Sequence, residues 1–155
     1  MSAFTIDKLS YIFIDALTEV ISKMAGSSID VLSTEVDSSF HELTGVMSLN
    51  GKNHGMFFIS AEERVLQIIC SYMTGIPLDE ITRDDIEDAL CELVNMTAGN
   101  AKLRTNNLEQ TYTITSPFVI NAENMFINTK KRINVISRVL GNRDISLKLK
   151  IMFYT

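Results

Sequence analysis

Asp88, Glu92, Asn95 and Gly99 follow one another at steps of four, three and four residues inside Asp85-Ile-Glu-Asp-Ala-Leu-Cys-Glu-Leu-Val-Asn-Met-Thr-Ala-Gly-Asn100. At about 100° per residue, such steps put all four on one stripe of a helix. Ile86, Leu90, Leu93, Thr97 and Ala101 gather on the opposite pole. That pole must face a core, so the acids and the amide face water. Asn is a mediocre helix former, and here it packs against nothing. Chemistry explains its presence better than stability does. A neutral amide can accept a hydrogen bond from a water molecule and donate another nearby, and a carboxylate one turn away can pair with a partner's cation.

The helix that must carry this stripe has a counterpart earlier in the chain. Asp15-Ala-Leu-Thr-Glu19-Val-Ile-Ser22-Lys-Met-Ala25-Gly26 aligns without a gap on Asp88-Ala-Leu-Cys-Glu92-Leu-Val-Asn95-Met-Thr-Ala98-Gly99. A repeat at about half the chain length implies duplicated halves with pseudo-two-fold symmetry; a solenoid needs three or more shorter units. Ser22 replaces Asn95 in the first copy. If the amide carries the chemistry, only the second helix is competent.

With 155 residues, 46% apolar and 21% charged, residues 1–155 read as one domain, long enough to bury roughly two-thirds of its unfolded surface. A net charge of −5 argues against nucleic acid, which needs a concentrated basic surface. Lys130-Lys131-Arg132 is the only basic run and reads as a solvated turn. No apolar run approaches the ~20 residues of a membrane span, and the N-terminus does not resemble a signal peptide. A cytoplasmic chain with no membrane partner is expected. Cys70 and Cys91 lack CxxC spacing and read as reduced thiols. His41 and His54 are tied to neither cysteine and have no metal-ligand spacing, so no metal site and no thiol catalysis are expected. A Walker loop and GxGxxG are both missing.

Hydrophobic periodicity predicts helices near 5–25 and 83–106, the second capped by Thr82 with Asp84, Asp85 and Glu87 in its first turn and closed near Asn106-Asn107. Ser60-Ala-Glu-Glu63 reads as a capping box opening a middle helix, which Gly75 and Pro77 end. Strands are predicted over Ile29–Val36, Gly45–Leu49 and Gly55–Ser60, the last two joined through Asn50-Gly51, a hairpin signal. Further strands are predicted over Thr111–Ile120, Met125–Asn128, Ile133–Leu140 and Ile145–Tyr154. Alternation in Ile145-Ser-Leu-Lys-Leu-Lys-Ile-Met-Phe implies a sheet with one apolar and one wet face. The expected fold is α+β, an antiparallel sheet with the long helices packed on one face.

The pattern Asp88-x3-Glu92-x2-Asn95-x21-Pro117 resembles the signature of the CheC/CheX/FliY family of chemotaxis phosphatases, and the order of elements is similar over essentially the whole chain. One intact copy and one degenerate copy resemble CheX-type members most. The resemblance implies removal of phosphate from the aspartyl phosphate of a CheY-like response regulator, with Glu92 and Asn95 as the active pair and Pro117 shaping the adjacent loop. It also implies a homodimer, and no cofactor of its own, since the regulator supplies magnesium, lysine and acceptor carboxylate.

Within that frame, Asn95 orients the attacking water, where a carboxylate would repel the phosphoryl oxygens. Glu92 pairs with the regulator's lysine and docks the partner. Gly99 lets the partner approach, Met96 at the edge of the stripe adds apolar contact, and Asp88 supports the helix. Taken singly, Glu92 would be a solvated acid, Asn95 a polar filler and Pro117 an edge-strand breaker. Their coincidence with the repeat favours the phosphatase over the alternative, a non-catalytic module that binds a response regulator or belongs to the flagellar switch.

Overall fold

The structure, a computed structural model, describes residues 3–34, 39–51, 54–105, 112–130 and 132–154. Helix α1 (Ala3–Ala25) is followed by β1 (Asp30–Ser33), β2 (Leu43–Gly51), β3 (Gly55–Ala61) and α2 (Glu63–Thr74). A 3-10 turn at Leu78–Glu80 leads into α3 (Arg83–Arg104), and the chain ends with β4 (Tyr112–Ile114), β5 (Phe118–Asn121), β6 (Ile133–Gly141) and β7 (Ser146–Tyr154). The sheet runs in the order β1-β6-β7-β3-β2-β4, with β5 also paired to β2, and its pairings are antiparallel. Exchanging β1 with β4, β2 with β6 and β3 with β7 returns the same order. The sheet therefore carries the two-fold pattern that the repeated helices imply, with β3 and β7 meeting at its centre.

Helices α1 and α3 cover one face. Phe13, Leu17 and Ile21 of α1 and Leu90, Leu93 and Val94 of α3 are fully buried against Met47, Phe57, Leu149 and Ile151 of the sheet. Burying each such side chain is worth about 1.5–3 kcal/mol. The aromatic core is directional as well, with the Phe13 and Phe57 rings 4.8 Å apart and tilted. Gly45 of β2 lets α3 sit this close, because a Cβ there would stand 2.6 Å from Val94 Cγ2 and 3.0 Å from Leu90 Cγ. Gly26, at φ +61°, ends α1 in the left-handed conformation that glycine adopts at little cost.

The opposite face differs from the wet surface that alternation in β7 predicts. Phe40, Val46 and Phe58 form a second, smaller core there, backed by Ile120, Met125, Ile127 and Met152. Lys150 is buried beneath it, its ammonium 4.4 Å from the Phe40 ring centre and bonded to the Ser39 carbonyl at 2.6 Å. The alternation holds along the strand, but the segments around Phe40 and Met125 fold over the polar side and shelter it.

Several local expectations also change. Ser60 does not cap α2: it lies in β3, 2.9 Å from Thr44 Oγ1, and its Oγ accepts the His41 N–H. Glu42 supplies the missing acceptor, taking the Glu63 N–H at 2.9 Å. The β2–β3 hairpin is present, yet Asn50 and Gly51 belong to β2 and pair with Thr113 and Tyr112. Met125–Asn128 forms no strand; one isolated bridge joins Ser39 to Phe126. Val36, Asn106, Asn107, Thr111 and Lys131 lie outside the described residues, and α3 ends at Arg104 with Thr105 as its cap.

Candidate active site

A reciprocal capping box fixes the start of α3. Thr82 Oγ1 accepts the Asp85 N–H at 3.2 Å, and Asp85 Oδ2 accepts the Thr82 N–H at 2.9 Å. Asp84 and Asp85 in the first turn and Lys102 and Arg104 in the last complement the helix dipole. Ile86, Leu90, Leu93, Val94, Thr97, Ala98 and Ala101 are buried, which turns Asp88, Glu92 and Asn95 outward.

Asp88, Cys91, Glu92 and Asn95 form one wall of an open groove of about 660 Å3, and Ile114, Thr115, Ser116 and Pro117 form the other. Pro117, separated from the stripe by a strand, is thus brought to it. Glu92 and Asn95 make no hydrogen bond or ion pair among the described residues, so both are available to a visitor. Asp88 and Glu92 also border a second groove across the helix, lined by Met24 of α1 and Met73 of α2. Gly99 lies beyond the first groove, and a Cβ on it would meet nothing within 4 Å. No packing demand explains that glycine. Met96, at the edge of the stripe, is half-buried and packs against the core.

The expected strand Thr111–Ile120 is broken, and the break builds the second wall. On β2, Val46 pairs with Phe118 and Leu49 with Ile114. Met47 and Ser48 therefore stand opposite Thr115, Ser116 and Pro117, one residue too many. Such a bulge bends the strand locally, and bulges concentrate beside functional sites. Proline, lacking an N–H, fits this gap in the ladder. Sequence reading found Pro117 but missed Thr115, Ser116 and Cys91. The Thr-Ser-Pro run was a turn signal inside a strand-like stretch, whereas Cys91 carried none.

Burial pushes the Cys91 thiol up, with Asp88 and Glu87 adding to the effect, and burial likewise raises Cys70. Neither cysteine is activated as a nucleophile. Among the described residues, no three His, Cys, Asp or Glu side chains converge as a metal site. No described helix is long and apolar enough to cross a membrane.

The degenerate copy is arranged differently. Glu19 is bonded to Lys23, to Asn100 Nδ2 at 3.1 Å and to Arg104. Those three donors, Lys23 foremost, hold its carboxyl down at about 2. Ser22 is exposed near the end of α1.

The family model for the chemotaxis phosphatase CheX matches residues 43–139, more than half of the chain and all of the groove. The chain belongs to the CheX family. Solved CheX structures share its fold: the chemotaxis protein CheX from Vibrio vulnificus superposes with a TM-score of 0.81 at 19% identity, over 94% of this chain and 95% of that one. CheX from Desulfovibrio desulfuricans gives a TM-score of 0.81 at 20% identity, over 94% and 99%. A CheX–CheY–BeF3–Mg2+ complex from Borrelia burgdorferi gives 0.76 at 17% identity, over 95% and 98%. Curated protein sequences give no match.

Proposed function

We propose that this chain, acting as a single cytoplasmic domain over residues 1–155, hydrolyses the aspartyl phosphate of a CheY-like response regulator. The observation that carries this reading is the groove in which Asp88, Glu92 and Asn95 of α3 face Pro117 across an open gap. On the α3 wall Glu92 and Asn95 are exposed and make no hydrogen bond or ion pair among the described residues, and the second wall is tied to β2 on both sides of its bulge. That suits a partner that brings most of the chemistry with it.

Phosphoryl transfer depends on positioning and charge compensation more than on covalent chemistry by the protein. In this reading the cation, the lysine and the acceptor carboxylate are the regulator's. The relative captured with CheY, BeF3 and Mg2+ supports that division, because trifluoroberyllate is a tetrahedral stand-in for a phosphoryl group. Asn95 accepts a hydrogen bond from water and aims it in line with the bond to be broken. Glu92 meets the regulator's lysine and sets the register of α3 in its site. Asp88 supports the helix, Met96 adds apolar contact at the edge of the stripe, and Gly99 leaves room for the partner. The homodimer implied by family resemblance belongs to the same reading; the edge strand β1 exposes Val31 and Leu32, and sedimentation in an analytical ultracentrifuge tests the oligomeric state.

The test is phosphate release from a phosphorylated CheY-like regulator. Wild type should accelerate release and Asn95→Ala should not. Binding without acceleration would make the chain a docking module instead.

A further inference from the structure

We infer that Thr115 is a positioning residue for this site, its hydroxyl holding the bulge that presents Ser116 and Pro117 to Asn95. The inference rests on the reading of the groove as a phosphatase site. An antiparallel ladder interrupted by an extra residue leaves backbone groups on the facing strand without their usual partners. Here the facing residue is Ser48. Thr115 Oγ1 accepts the Ser48 N–H at 3.2 Å and donates to the Ser48 carbonyl at 3.2 Å. One side-chain hydroxyl thus replaces a pair of ladder bonds that the bulge removes, a use that its one donor and two acceptor sites permit.

The consequence is geometric. Regular pairing resumes at Ile114–Leu49 on one side and at Phe118–Val46 on the other, so the intervening loop is fixed at both ends and pinned at Thr115. Without that pin, Ser116 and Pro117 would hang between two strand ends, and the gap to Asn95 would vary. A catalytic amide that must aim one water molecule is sensitive to such variation, since a displacement of about 1 Å can cost up to a hundredfold in rate. Thr115 acts through the loop and need not touch the phosphoryl group.

Valine matches threonine in shape and lacks the hydroxyl; serine keeps the hydroxyl and lacks the methyl. Thr115→Val should lower kcat on a phosphorylated regulator roughly ten- to a hundredfold with KM within about twofold, and Thr115→Ser should restore most of it. Thr115→Ala, which leaves room for water to reach Ser48, serves as a second variant if the valine protein folds poorly. In parallel, amide hydrogen exchange and two-dimensional NMR should show lost protection at Ser48 and shifted Ser116 and Asn95 side-chain signals in the valine or alanine variant, with neither change in the serine variant. Wild-type kcat together with an unmoved Ser48 amide in Thr115→Val would overturn the inference. A wild-type protein that releases no phosphate would overturn the phosphatase reading instead, and the NMR comparison would still decide whether Thr115 sets the loop.

Discussion

Glu19 accepts a hydrogen bond from Asn100 Nδ2 at 3.1 Å, tying the end of α1 to the end of α3. Glu19 is the residue that aligns on Glu92 in the internal repeat. Arg104 and Lys23 share its carboxylate. The duplicated glutamates have thus diverged: one is committed to joining the helices, the other stands unpaired at the groove. Ser22 stands where Asn95 does in the repeat, so in the proposed reading the first copy lacks the amide that would orient water, and its acid serves to join the helices.

Replacing Glu19 by Ala should therefore change phosphatase activity by less than about threefold while lowering the melting temperature. The pH dependence has a definite sign. A carboxyl held at about 2 when folded, against an ordinary 4.5, adds stability that is fully present above pH 4.5 and is lost as pH falls toward 2. Acid titration of wild type and Glu19→Gln, followed by circular dichroism, should show the two curves converging over that window. A constant gap from neutrality to pH 2 would contradict the assignment.

Binding and chemistry should separate within the stripe. Asn95→Ala should leave regulator affinity nearly unchanged and lower turnover by roughly two to three orders of magnitude, the usual scale for one preorganised catalytic group. Glu92→Ala should weaken docking as well, because it removes a pairing with the partner. Calorimetry alongside single-turnover kinetics distinguishes these. Equal losses of affinity in both variants, with turnover intact, would argue against the division of roles.

The sequence was most legible where structure is local. The period of α3, its Thr82–Asp85 capping box and the stripe follow from residues a turn apart, so they could be read without knowing the sheet. The bulge could not, because Thr115–Pro117 becomes one residue too many only when set against Met47 and Ser48, far away in the chain. Ser60 misled for a related reason: its spacing to Glu63 fits a cap, yet Thr44 and His41 on the neighbouring segment claim its hydroxyl. Lys148 and Lys150 likewise look solvent-facing in their strand, while Ser39 and Phe40 fold over them. Local patterns outlined the α3 wall of the groove; long-range pairing built the wall opposite.

Two glycines should respond in opposite ways. Gly99→Ala adds a methyl into open space on a helix, which should stabilise the protein by about 0.5–1 kcal/mol yet weaken regulator binding if the partner covers that surface. Gly45→Ala drives a Cβ into Val94 and Leu90, and such overpacking should cost about 1–3 kcal/mol and displace α3 from the bulge. Denaturant melts and affinity measurements on both proteins check this. A Gly99→Ala protein that binds the regulator like wild type would remove Gly99 from the interface.

The last expectation concerns the cation. Phosphoryl transfer needs positive charge beside the equatorial oxygens, and in the proposed complex the regulator brings it. Purified protein should then carry no stoichiometric metal and show no thermal shift with magnesium, while dephosphorylation of the phosphorylated regulator should stop in chelator. Affinity should be highest for a regulator loaded with magnesium and trifluoroberyllate, since only that state offers both the tetrahedral group and the ordered lysine to Asn95 and Glu92. Titration calorimetry with loaded and unloaded regulator measures the difference directly. Tight magnesium binding by this chain alone would point to an independent hydrolase, and equal affinity for the two regulator states would point to a constitutive scaffold.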